Sequence, residues 1–225
     1  MANNLMKKCA EGPSVEHGYV LLLGTLLLLF FLYPISDGSR YSEGLLDFLT
    51  SSTIVVAVST LNGTPQQRKC SAGLAAVALL FTWMDHLAPN PWIDAAQHVS
   101  TIFLKSFAAY QIVIRVLGQH RASFNDVCGI VSSYLLLGFI WTSAFVGLED
   151  LSPGAFTGTK VGFTQVGYSK LMYYSFANLT TLGYGEIVAT IPFAQSLAVL
   201  EGVFGQLYLG ILVAYVVGLL PSRKR

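Results

Sequence analysis

Asn178-Leu179-Thr180-Thr181-Leu182-Gly183-Tyr184-Gly185-Glu186 is the stretch on which the reading of this chain turns. It follows an apolar segment, 168–179, of about three helical turns, too short for a bilayer core that takes ~20 residues to cross. Apolar sequence of spanning length lies on either side of it. The segment 168–179 is therefore expected to enter the membrane and turn back as a re-entrant helix. Non-helical backbone at membrane depth is tolerated only where protein buries it or where it lines a water-filled path. The glycine-bearing stretch after the short helix is expected to line such a path.

Its residue types suit that position. A dehydrated cation needs oxygen ligands in place of its water shell, and main-chain carbonyls supply them without the trapping strength of carboxylates. Aiming successive carbonyls at one axis requires alternation between ordinary and left-handed dihedrals, which glycine adopts without a Cβ clash. Gly183 and Gly185 are expected to do this, with Leu182 and Tyr184 pointing away into protein. Thr181 can add its hydroxyl at the inner mouth.

Outward from this stretch, six segments have the length and apolarity of membrane spans: 17–35, 44–61, 70–87, 93–117, 124–148 and 193–220, the last stopped by Pro221. The whole chain agrees, being 53% hydrophobic and 11% charged where soluble domains carry roughly 25% charged residues. With the amino terminus in the cytoplasm, the inner ends collect Lys7, Lys8, Arg68, Lys69, Arg115, Arg121, Arg223, Lys224 and Arg225, against Arg40, Lys160 and Lys170 outside. That asymmetry is the positive-inside pattern, and it puts both termini in the cytoplasm of a multi-pass plasma-membrane protein. The first apolar stretch has no small-residue cleavage site and reads as a retained anchor.

The parts needed for catalysis do not occur: there is no HExxH, no phosphate loop and no intramembrane His/Cys/Asp set, so no enzyme and no cofactor is expected. A formal net charge of +1 gives no reason to expect nucleic acid. Cys9, Cys70 and Cys128 form no metal pattern and read as free thiols. Asp85, His86, Asp94 and His98 gather around one outer loop; solvated polarity and an N-cap account for them, with metal binding or pH sensing as the alternative.

The Thr-x-Gly-Tyr-Gly pattern at Thr181–Gly185 resembles the potassium-channel filter signature. The stretch Leu197 to Leu219 is similar to the short six-helix subunits found in many bacteria, within the ion-channel family built on a two-helix pore module. That module would cover 124–219. The resemblance implies an all-α membrane protein with six transmembrane helices, a re-entrant pore helix and a filter loop. One filter is a quarter of a ring, so a homotetramer is implied, with three identical subunits as partners, membrane lipid around it and K⁺ as the permeant ion. Main-chain oxygens of Thr181, Leu182, Gly183 and Tyr184 would hold K⁺, with Gly185 completing the strand. Tyr173 and Tyr174 match the family's aromatic cuff, although as interfacial belt residues they would need no such role. Gly205, twenty residues past Gly185, matches its inner-helix hinge, with simple helix packing as the other reading.

Three positions depart from the family: Leu182 replaces Val or Ile, Glu186 replaces Asp, and Ala177 stands where some members place a carboxylate. Glu201 is costly inside a membrane helix and is expected to support the pore helix or filter from behind, the alternative being a solvated place near the outer mouth.

The expected organisation is a cytoplasmic amino terminus (1–17), a four-helix transmembrane domain (18–120), a pore domain (121–221) and a short cytoplasmic tail (222–225). The fourth span holds only Lys105 and Arg115, ten residues apart, so steep voltage gating is not expected. Lys105 is expected to pair with a carboxylate such as Asp47 or Asp85, or to snorkel. No ligand-binding domain is expected after Pro221. The competing readings are a filter-containing potassium transporter, which ordinarily carries four filter-like repeats in one chain, and a non-conducting membrane scaffold.

Overall fold

The computed structural model describes residues 18–35, 50–53, 55–56, 65–87, 91–119, 123–157 and 165–219. The second expected span, 44–61, lies mostly outside the described residues, as do both termini. The described chain forms α1 (Gly18–Ile35), α2 (Pro65–Leu87), α3 (Pro91–Leu117), α4 (Phe124–Leu151), β1 (Phe156–Thr157), α5 (Gln165–Leu179), β2 (Val188–Ala189) and α6 (Pro192–Leu207). A π-helix, Tyr208–Val213, then leads into α7 (Ala214–Leu219). The architecture is all-α apart from one two-residue antiparallel pair, with Phe156 opposite Ala189 and Thr157 opposite Val188.

Three described helices are long and apolar enough to cross a membrane: Trp92–Leu117, Phe124–Leu151 and Pro192–Leu212. Gly18–Tyr33 and Lys69–Met84 are shorter apolar helices. The helix expected at 168–179 begins at Gln165. At 15 residues, or about 22 Å, it falls short of a bilayer core about 30 Å thick.

Helical periodicity decides what each helix buries. On α1, Tyr19, Leu22, Leu26 and Leu29 recur every three or four residues and sink into the main core, while Leu21, Leu28 and Phe31 stay exposed. On α3, Leu104, Ala108, Ile112 and Val116 recur every fourth residue and are buried, with Phe103, Tyr110 and Ile114 on the open side. α4 is the central post on which α1, α3 and α5 all pack. It begins at a capping box: the Ser123 side chain accepts from the Asp126 amide, and the Asp126 carboxylate accepts from the Ser123 amide at 2.9 Å.

Four buried hydroxyls on α4 donate back to carbonyls of the same helix: Ser132 to Cys128, Ser133 to Ile130, Thr142 to Gly138 and Ser143 to Phe139. This is how a helix carries hydroxyls through an apolar environment without stranding them. Residues 118–123 alone separate α3 from α4. So short a link makes the two helices antiparallel neighbours, and α1 and α3 both pack on α4 of the same chain.

Candidate functional site

Thr180, Thr181 and Gly183 leave the end of α5 by donating their amides back into its last turn, to Phe176 O (3.0 Å), Asn178 O (2.9 Å) and Ala177 O (3.2 Å). The backbone then alternates. Thr181, Gly183 and Gly185 have φ of 60°, 55° and 84°, with Leu182 and Tyr184 between them in ordinary conformations. The glycines were expected in the left-handed region; Thr181 joins them although its Cβ disfavours it. Its hydroxyl donates to the Thr180 carbonyl at 2.7 Å.

In the single chain this strand is bare. Residues 180–186 are all exposed, Leu182 at 61% and Tyr184 at 63%, and no atom lies within 4 Å of where a Cβ would stand on Gly183 or Gly185. Within one subunit the strand is therefore left uncovered by the rest of the chain. Leu182 and Tyr184, expected to point into protein, are both exposed in the single subunit, and Tyr184 lies against α5. Its ring stacks on Tyr173, with centroids 6.2 Å apart and planes 6° from parallel.

Of the expected supporting residues, Tyr173 and Glu186 meet beside the strand. Tyr173 also donates its hydroxyl to Glu186 Oε2 at 3.0 Å, so Glu186 is engaged behind the outer end of the stretch. Tyr174 is buried in an edge-on aromatic cluster, 5.3 Å from both Phe145 and Phe156. Glu201 is 0% exposed, and its Oε1 accepts from the Ser175 hydroxyl of α5 at 2.5 Å. Ser175 Oγ also lies 2.9 Å from the Gly138 carbonyl, joining α4, α5 and α6 at one point. Asn178 lies beside Glu201 but out of hydrogen-bond geometry, leaving Glu201 Oε2 and Asn178 Nδ2 without a bond. Glu201 is thus behind the pore helix and shielded from solvent.

Gly205 faces the end of α5 so closely that an added Cβ would lie 2.2 Å from Leu179 O. Tyr134 of α4 donates to the same carbonyl at 3.2 Å. The glycine is required there by packing. Leu209, expected at the inner cavity, is exposed, while the side chain of Val213 lies outside the described residues.

Lys105 donates to Ser143 Oγ at 3.1 Å and sits 5.9 Å over the Phe139 ring, in the seam between α3 and α4. Asp47 and the side chain of Asp85 lie outside the described residues. Among the described residues no group of three His, Cys, Asp or Glu side chains could hold a metal. His98 instead meets Asp150, at the C-terminal end of α4, at 3.5 Å.

One residue the sequence reading passed over is Glu149. It is buried at the C-terminal end of α4, and its two oxygens accept from the amides of Gly154 (2.6 Å) and Phe156 (2.9 Å). The backbone of 154–157 so held pairs with β2 and accepts the Thr190 amide at Ala155 O, 2.8 Å. Glu149 therefore anchors the strand that returns from Glu186. Its signal in the sequence was an acid closing an apolar helix just before a Gly-containing loop.

No curated protein and no solved structure matches the chain. Residues 129–221, from the second turn of α4 through the exposed strand and α6 to the residues after α7, match the family model described as Ion channel, so this part of a membrane protein is similar to an ion-channel domain.

Proposed function

We propose that the chain is one subunit of a homotetrameric, potassium-selective channel of the plasma membrane, with both termini in the cytoplasm. Four copies of Thr181–Gly185 would surround one axis, where the carbonyls of Thr181, Leu182, Gly183 and Tyr184 replace the hydration shell of K⁺. The observation that carries this reading is the left-handed backbone at Thr181, Gly183 and Gly185, every second residue of a strand with an open side. An isolated strand of this kind at membrane depth leaves polar backbone unpaired, and a ring of copies around hydrated ions satisfies it.

The surrounding residues take supporting roles in this reading. Tyr173, Tyr184 and Glu186 brace the outer end, Tyr174 fills the space behind, and Glu201 holds α5 through Ser175. Gly205 seats the inner helix against the filter base and marks the top of its flexible part. The outer helices carry too few embedded charges for steep voltage gating.

The test is reconstitution of the purified full chain in lipid vesicles and planar bilayers. The expected result is a tetramer that carries K⁺ in unitary steps, far faster than Na⁺, with block by Ba²⁺. Flux without unitary steps would favour a transporter, and a tetramer without flux a scaffold. Equal passage of Na⁺ and K⁺ would overturn the filter reading.

A further inference from the structure

Below Leu207 the inner helix departs from α-helical geometry, and Tyr208–Val213 runs as a π-helix. Such segments are rare, hold a surplus residue within the helix, and recur at functional positions. This one lies between fixed contacts. Above it, Gly205 presses on Leu179 O and ties α6 to the pore helix. At its start, the Tyr208 hydroxyl donates to Ile130 O at 2.7 Å and also meets the Ser133 hydroxyl, both on α4. Below it, the Tyr215 hydroxyl of α7 donates to Leu117 O at 2.8 Å, at the last residue of α3. Gly210, in the middle, has no atom within 4 Å of where a Cβ would stand.

We propose that Tyr208–Val213 is the flexing point of the inner helix, and that Tyr208 and Tyr215 are the hydroxyl latches through which the outer bundle biases its conformation. This rests on the channel reading above. Each residue of α-helix turns about 100°, so absorbing the surplus residue would swing Tyr215 by about that angle relative to Tyr208. Both hydroxyl bonds cannot survive that turn unless the end of α3 moves too. The segment is then a two-state element whose balance depends on a contact with α3, which is what coupling requires. Pressed against Leu179 O, Gly205 holds the upper half still, and the bend falls one turn lower.

The test compares single-channel records of the full-length parent with Tyr208→Phe and Tyr215→Phe, which keep the rings and remove the hydroxyls. Each variant is expected to change open probability by about threefold or more, as losing one hydrogen bond from only one of two states would, while unitary conductance and K⁺ over Na⁺ selectivity hold. Smaller changes in both variants would overturn the proposal. Where Tyr208→Phe fails to assemble by size exclusion, Tyr215→Phe alone is held to the same criterion.

A parent that passes no current would sink the channel reading itself. Amide exchange in the same liposomes then tests the segment alone: exchange faster at 208–213 than at 196–207 supports the flexing point, and equal or slower exchange there overturns it.

Discussion

Leu179 O and Gly205 meet with no room for even a methyl group, the added Cβ falling 2.2 Å from the oxygen. Because the obstacle is backbone, Gly205→Ala must push α6 away from α5, and overpacking of this kind costs about 1–3 kcal/mol. A lowered thermal midpoint of the purified protein checks it; an unchanged one would mean that the two helices separate freely. Glu149 supplies the opposite case, a buried carboxylate with both oxygens bonded to backbone amides. Glu149→Ala leaves those amides without acceptors, and a loss of about 2–4 kcal/mol is expected in the same measurement. Neither residue advertises its part in the sequence. Gly205 was visible as a glycine in an inner helix, but which backbone it touches depends on a partner twenty-six positions earlier. Thr181 is similar: its residue type argued against the left-handed conformation that the strand imposes on it.

Helices of this chain are legible by composition, and their charges decide how they respond to voltage. α3 carries Lys105 in its middle and Arg115 in its last turn. Lys105 is held by Ser143 and the Phe139 ring in the α3–α4 seam, so it is placed to stay put rather than travel across the field. Currents are therefore expected to show no steep, time-dependent activation over about ±100 mV, where each full charge crossing the field would supply about 2.3 kcal/mol. Voltage-step recordings of the parent and of Lys105→Met check this, and steep activation abolished by the substitution would reverse it. The short apolar helix before the glycines was readable from the sequence, and its 15 residues are too few to cross a bilayer core. The π-helix at Tyr208–Val213 was not, since Tyr-Leu-Gly-Ile-Leu-Val has the same apolar pattern as an uninterrupted α-helix. Its surplus residue is tied to tyrosine partners on α4 and α3, not to local propensity.

For the molecule as a whole, the packing of α3 on α4 of the same chain predicts how subunits are built. With Lys105→Cys and Ser143→Cys in one chain, a short bis-methanethiosulfonate linker is expected to join the pair within single subunits, leaving a monomer band in detergent gels. Dimers and higher ladders would instead mean that each outer bundle serves its neighbour's pore. The exposed apolar face of the inner helix, with Val199, Val203 and Phe204, and the bare strand beside it together mark where copies would meet in the proposed tetramer.

The sequence by itself determined that this chain belongs in a membrane, that a short helix precedes Thr181, and that the backbone after it alternates at Gly183 and Gly185. Those features follow from length, apolarity and the absence of a Cβ, all of them local quantities. Only the tertiary structure decided that Glu201 is held by Ser175, that Glu149 clamps the backbone at Gly154 and Phe156, that Gly205 is filled by Leu179 O, and that the helix is π-helical between Tyr208 and Val213. Each of these pairs a side chain or glycine with backbone or a hydroxyl distant in sequence. Such partners are chosen by how helices pack, which no single segment encodes.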